Sequence, residues 1–120
     1  MNDNGIKKTV FLIEDDSELR KTLADNLELK GYFVVSTSRG ATVNSLLGGF
    51  VPDIAIIDLN LPDVDGIEVS KEINSYNLAV DIPVIIISGR TDLQNRIRGF
   101  MSGAKRYLCK PFRVEELTEG

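Results

Sequence analysis

Four short patches of this chain carry groups that do chemistry, and each stands where an apolar run stops. Glu14, Asp15 and Asp16 follow Thr-Val-Phe-Leu-Ile; Asp58 closes Ile-Ala-Ile-Ile and opens Leu-Asn-Leu-Pro-Asp-Val-Asp-Gly; Ser88 and Gly89 follow Val-Ile-Ile-Ile; Lys110 and Pro111 follow Arg-Tyr-Leu-Cys. Carboxylates brought together repel one another, and the usual relief is proton sharing or a hard cation. Mg²⁺ prefers oxygen ligands, keeps several waters and is typically held by one or two carboxylates plus a phosphate. A lysine adds a point charge suited to a phosphoryl oxygen, and a serine adds a hydrogen bond. A carboxylate can itself be the nucleophile, forming an acyl phosphate. Phosphoryl transfer, which relies on positioning and charge neutralisation, fits this set best, with Asp58 as the reacting group.

The elements that must deliver these groups are legible from periodicity. Thr9 to Ile13 reads as an interior strand. Ser17 fits a helix N-cap, Leu19, Leu23 and Leu27 give that helix one apolar face, and Gly31 is its stop. Tyr32 to Ser36 reads as a second strand, Ala41 to Leu47 as a short helix ended by Gly48-Gly49, and Ile54 to Ile57 as a third strand running into Asp58. Gly66 opens a helix to about Tyr76 with Ile67, Val69 and Ile73 apolar. Ile82 to Ile87 is a wholly apolar fourth strand. Asp92 to Ser102 fits a helix with Leu93, Ile97, Phe100 and Met101 inward, Arg106 to Cys109 a fifth strand, and Val114 to Leu117 the beginning of one more helix. Strands alternating with helices through short connections imply right-handed crossovers and a parallel sheet covered on both faces. In such sheets ligands bind at the carboxyl ends of the strands, near the point where strand order reverses. Four strands ending in polar groups therefore predict one shared site.

Composition sets the outer limits. A chain of 120 residues, 42% apolar and 27% charged, falls at the common single-domain size. Its formal charge of -4 argues against a polyanion binder, since phosphate backbones are met by Lys and Arg. One cysteine, Cys109, excludes an internal disulfide and suits a reducing cytosol. The first eight residues are polar, which predicts a flexible N-terminal segment rather than a signal peptide or anchor, and a cytoplasmic location is expected. With no histidine, the chain has no His-based metal site, no His general base and no histidine phosphate carrier of its own.

Taken together, Glu14-Asp15, Asp58 to Gly66, Ser88-Gly89 and Tyr107-Leu-Cys-Lys110-Pro111-Phe112 resemble the receiver domain of two-component response regulators. The resemblance covers the chain from Thr9 onward, and it implies an α/β, flavodoxin-like fold with a five-stranded parallel sheet of order 2-1-3-4-5. Residues 1–120 then read as a single receiver domain, with 114–120 the start of an incomplete final helix. Asp58 is expected to accept phosphate from a sensor histidine kinase or histidine phosphotransfer protein. Asp15 and Asp58 would ligate Mg²⁺, with the main-chain carbonyl of Asn60 as a third ligand and Glu14 acting through a metal-bound water. Lys110 would pair with the phosphoryl group, Ser88 would hydrogen-bond it, and Tyr107 would be the switch aromatic that turns inward. Lys110-Pro111 is similar to the family's cis peptide. Asn60 and Arg90 occupy the two variable positions that flank the pocket, and Gly89 replaces a frequent Ala. The same resemblance offers the fourth helix, fifth strand and last helix as a face for partners or a homodimer, and is compatible with an output domain after Gly120.

Other acids and cations read as structural. Asp16 belongs to the start of its helix, since acids favour a first turn. Asp53, Asp63 and Asp65 are turn or cap residues, Cys109 is a small core residue, and Arg96, Arg98, Lys105, Arg106 and Arg113 form a solvated face, with partner contact as the alternative. Two rival functions are weighed. A haloacid-dehalogenase-type hydrolase also uses a strand-end Asp with Mg²⁺ but wants a second Asp two residues on, where this chain has Asn60, which cannot shuttle a proton. A degenerate docking module would have a broken site, whereas these site residues are intact. The expectation is a phosphoacceptor switch with at most slow self-phosphorylation and self-dephosphorylation.

Overall fold

A computed structural model describes residues 7–76, 82–89 and 93–118 of the chain. Within it the elements run β1 (Thr9–Ile13), α1 (Ser17–Leu29), β2 (Phe33–Thr37), a 3-10 turn (Gly40–Thr42), α2 (Val43–Leu47), β3 (Ile54–Asp58), α3 (Gly66–Tyr76), β4 (Val84–Ser88), α4 (Leu93–Met101), β5 (Arg106–Cys109) and α5 (Val114–Thr118). The strands form one parallel sheet of order β2-β1-β3-β4-β5, as expected. Its reversal of order lies between β1 and β3, where Phe11 pairs with Ala55 and Ile13 with Ile57. The acids after β1 and the acid ending β3 are therefore neighbours by register.

Side chains alternate across this sheet, so the core divides in two. Phe11, Ile13, Ala55, Ile57, Ile86 and Tyr107 lie on the side covered by α2, α3 and α4. Val10, Leu12, Ile56, Ile85 and Ile87 face α1 and α5, with Leu23, Leu27 and Leu117 packed on them. Central β4 is buried along its whole length, which explains why it reads as a continuous apolar run. Among the described residues no helix is long and apolar enough to cross a membrane.

Several local expectations shift. Asp16, not Ser17, caps α1: its Oδ1 accepts from the N–H groups of Glu18 at 3.0 Å and Leu19 at 3.1 Å. A carboxylate reaches two exposed amides and also meets the helix dipole, so it outcompetes the hydroxyl one position later. The stretch Gly40–Thr42 is a tight 3-10 turn rather than the start of α2, and β4 begins after Pro83, which has no N–H to give a ladder. The largest correction concerns α4. Ile97, Phe100 and Met101 are exposed, Met101 by 82%, because the face of α4 that packs is built from small and polar residues. A Cβ on Gly99 would stand 3.0 Å from the Tyr107 ring. Ser102 is buried; its hydroxyl donates to the Gly99 carbonyl and its Oγ lies 2.9 Å from Ser70 Oγ of α3, within hydrogen-bond distance. Asn74 completes this buried polar contact by donating to the carbonyls of Ser70 and Ser102. Asp92 and Arg90 lie outside the described residues.

Candidate functional site

The carboxyl ends of β1 and β3 bring three carboxylates together. Oxygen atoms of Glu14, Asp15 and Asp58 all lie within 4.8 Å of one another, with Glu14 and Asp58 buried and Asp15 exposed. Extended backbone just past β1 holds this arrangement, since the Glu14 N–H still donates to Thr37 on β2. Glu14 Oε2 accepts from the Asp16 amide at 3.1 Å, so one carboxylate oxygen is committed to the chain turning into α1. The other, Oε1, is buried and receives no directed hydrogen bond.

Lys110 answers that cluster from the end of β5. Its Nζ stands 3.0 Å from Glu14 Oε1 and 3.5 Å from Asp58 Oδ2. Oε1 is thus ion-paired with the ammonium rather than hydrogen-bonded to the backbone. The Lys110 amide donates to the Ser88 carbonyl at 2.8 Å, so the lysine and the serine are placed by one ladder bond. Ser88 is the fully buried last residue of β4. The Lys110-Pro111 peptide is cis.

Electrostatics follow from burial and count. Burial pushes the Asp58 carboxyl up to about 7. Its own interaction with the Asn60 amide, donated to Oδ1 at 3.1 Å, pulls the other way, and so does the Lys110 charge, while Glu14 adds to the rise. Burial tends to strip the Lys110 ammonium of its proton, yet Glu14 and Asp58 outweigh it and hold the group above the ordinary lysine range. Three carboxylates against one ammonium leave an excess of negative charge at the ends of β1 and β3. A hard divalent cation with oxygen ligands fits that deficit.

The remaining loop residues are fixed from several sides. The chain leaves Asp58, loops out, and returns at Gly66, where any Cβ would come within 2.6 Å of the Asp58 carbonyl oxygen. Only glycine allows that approach. Asn60 and Asp65 pair as an isolated antiparallel bridge, and the Gly66 amide donates to Leu59. Asp53 accepts from the Thr9 amide at 2.7 Å, and Asp63 accepts from the amides of Gly40 and Ala41 at 3.0 and 2.8 Å. Asp65 Oδ1 accepts from the Ile67 amide at the head of α3. All three acids thus act as caps and staples, as their sequence positions suggest.

Tyr107 is buried, with the guanidinium of Arg96 5.6 Å from its ring centre. Gly89 has open space where a side chain would stand. Arg20 is a residue near the site that the sequence does not mark: its Nη1 donates at 2.8 Å to the Glu14 carbonyl and so steadies the end of β1. One arginine on an exposed helix looks like any other, and only its tertiary partner distinguishes it. Of the expected solvated basic face, Arg98, Lys105 and Arg113 are exposed, Arg98 while meeting Asp65 at 2.9 Å, whereas Arg96 lies over Tyr107 and Arg106 holds the Leu117 carbonyl of α5.

Comparison with known proteins places this geometry. The family described as "Response regulator receiver domain" matches residues 10–120. The DNA-binding dual master transcriptional regulator RpaA of Synechocystis sp. is 37% identical over 108 residues, spanning 90% of this chain and 45% of that protein. The chain spans about half the length of the curated relatives it matches. Among solved structures, a Francisella response regulator receiver domain superposes with a TM-score of 0.83 at 30% identity, covering 92% of this chain and 90% of that one. A response regulator from Burkholderia pseudomallei, described with a phosphorylated aspartic acid, a calcium ion and citrate, shares the fold with a TM-score of 0.86 at 24% identity over 93% of this chain and 65% of its own.

Proposed function

Because this chain belongs to the response regulator receiver domain family, we propose that Asp58 is its phosphoacceptor, taking the phosphoryl group of a phosphohistidine on a partner kinase or phosphotransfer protein. The observation that carries the proposal is the bridge of Lys110 between Glu14 and Asp58 at the buried end of β3. An Asp58 oxygen attacks phosphorus, the P–N bond to the donor imidazole breaks, and its electron pair stays on that ring while an acyl phosphate forms on Asp58. Lys110 holds the acceptor and then the transferred oxygens, Ser88 stands at the end of the neighbouring strand to hydrogen-bond one of them, and Asn60 aligns Asp58 through its amide.

Glu14, Asp15, Asp58 and the Asn60 carbonyl would hold Mg²⁺, which when bound neutralises charge on the phosphoryl oxygens. The donor residue lies outside a chain that has no histidine. Repacking of Tyr107 beside α4 then makes the α4, β5 and α5 face the surface that a partner, a second copy or an output domain reads. The working place is the cytoplasm, and the chain's own catalysis is slow self-phosphorylation and self-dephosphorylation. Incubating the protein with Mg²⁺ and a small acyl-phosphate donor should add the mass of one phosphate, and Asp58→Asn should abolish it. Labelling of that variant at full stoichiometry would move the acceptor elsewhere.

A further inference from the structure

We propose that Arg98 is a positioning residue for the loop that carries Asn60, tying that loop to α4 through Asp65; this rests on the reading of Asp58 as an acceptor working with Mg²⁺. Asp65 joins three parts of the molecule. Its backbone pairs with Asn60, its Oδ1 caps α3 at the Ile67 amide at 2.9 Å, and its Oδ2 takes Nη2 of Arg98 at 2.9 Å. The other arm of the guanidinium reaches Asn95 Oδ1 one turn earlier on α4, so the fork is oriented from its own helix. Asp63 fastens the same loop on its far side to Gly40 and Ala41. The loop is thus clamped between a fixed turn and α4.

That second anchor differs in kind from the first. The neighbouring residue, Gly99, lies against Tyr107, and Ser102 pins the end of α4 to α3. Arg98 therefore converts the placement of α4 into a constraint on the backbone around Asn60. An ion pair this exposed is worth only about a two- to fivefold change in an equilibrium constant, a size suited to tuning rather than building the site.

The sign of the effect separates positioning from simple charge. A cation removed from the neighbourhood of a Mg²⁺ site should tighten Mg²⁺ binding if only the field matters. Loss of a positioning contact should loosen it. Calorimetric titration of Mg²⁺ into the full chain at low ionic strength is expected to show R98Q binding about two- to fivefold more weakly than wild type, with R98K recovering part of the loss. D65N keeps an oxygen for the Ile67 amide and removes the pair, so D65N and D65N/R98Q should bind equally. Raising KCl to about 0.5 M should bring wild type toward R98Q, because screening is then short-ranged. Equal or tighter binding by R98Q, or a further loss in the double variant, overturns the proposal. Wild type that takes up Mg²⁺ and phosphate while R98Q matches it sinks the link alone; wild type that binds no Mg²⁺ removes both the link and the acceptor reading.

Discussion

At Asp58, burial and chemistry oppose each other in a measurable way. An ordinary aspartate ionises near 4, whereas this carboxyl stands at about 7 in the metal-free protein. Between those values the folded chain holds a proton that the unfolded chain has released, so protonation stabilises the fold. The contribution is fully present below about pH 4 and is lost as pH rises through about 7, with a full span on the order of 2–4 kcal/mol. Denaturant melts in chelator should therefore show stability falling from pH 5 to pH 8. Asp58→Asn should flatten that profile and be the more stable protein at pH 8. Mg²⁺ should act in the opposite sense, since it needs the ionised carboxylates, and its rise in Tm should be larger at pH 8 than at pH 6. A wild-type profile that already matches Asp58→Asn without metal would show that the acid cluster carries no such strain. Lys110 belongs to the same balance. Lys110→Met leaves Glu14 and Asp58 facing each other uncompensated, so it should lower stability at pH 8 and recover it at pH 6, a pH dependence that loss of packing would not give.

Elements are held by contacts of two sorts, and these differed in how openly the sequence shows them. Apolar periodicity disclosed every strand and the faces of α1 and α3, because burial of Leu23, Leu27, Ile67 and Ile73 leaves a repeat in the chain. It misjudged α4, whose packed face includes Gly99 and Ser102 and on which Ile97, Phe100 and Met101 are exposed. No apolar repeat can reveal a helix seated by a glycine and a buried hydroxyl pair. The strand-end acids, Ser88 and Lys110 were readable as one site because a parallel sheet gathers strand ends. The tertiary partners of Asp63, Asp65 and Arg98 were not, since each lies far along the chain. Two substitutions test this scale. Asp16→Ala should cost about 1 kcal/mol by stripping the cap from α1. Asn74→Ala should cost about 1–3 kcal/mol, because it leaves the carbonyls of Ser70 and Ser102 without their shared donor in a buried contact; urea melts that place it within 0.3 kcal/mol of wild type would mean water replaces the amide.

For the whole molecule, topology explains why a small chain can be a switch. The sheet order puts the acids of β1 beside Asp58 on one flank and Ser88 with Lys110 on the other, so a change at one atom is felt by both halves of the core. Gly66 is the narrowest point of that arrangement. Gly66→Ala would drive a methyl into the Asp58 carbonyl, and a loss of about 2–3 kcal/mol with poor phosphate uptake is expected, read by thermal melts and by intact mass. Ile97, Phe100 and Met101 stay exposed on α4, within the face proposed above as the one a partner reads.

The burial of Tyr107 under Arg96 has an optical consequence. The chain contains three tyrosines and no tryptophan, so nothing absorbs tyrosine emission by energy transfer to an indole. A phenol ring shut away beneath a guanidinium should respond little to an added collisional quencher such as iodide or acrylamide, while the same ring turned into water becomes accessible. With Tyr107 as the proposed switch aromatic, quenching should change on phosphate uptake and stay unchanged in Asp58→Asn and in Tyr107→Phe, which would let the switch be followed in real time without attaching a dye.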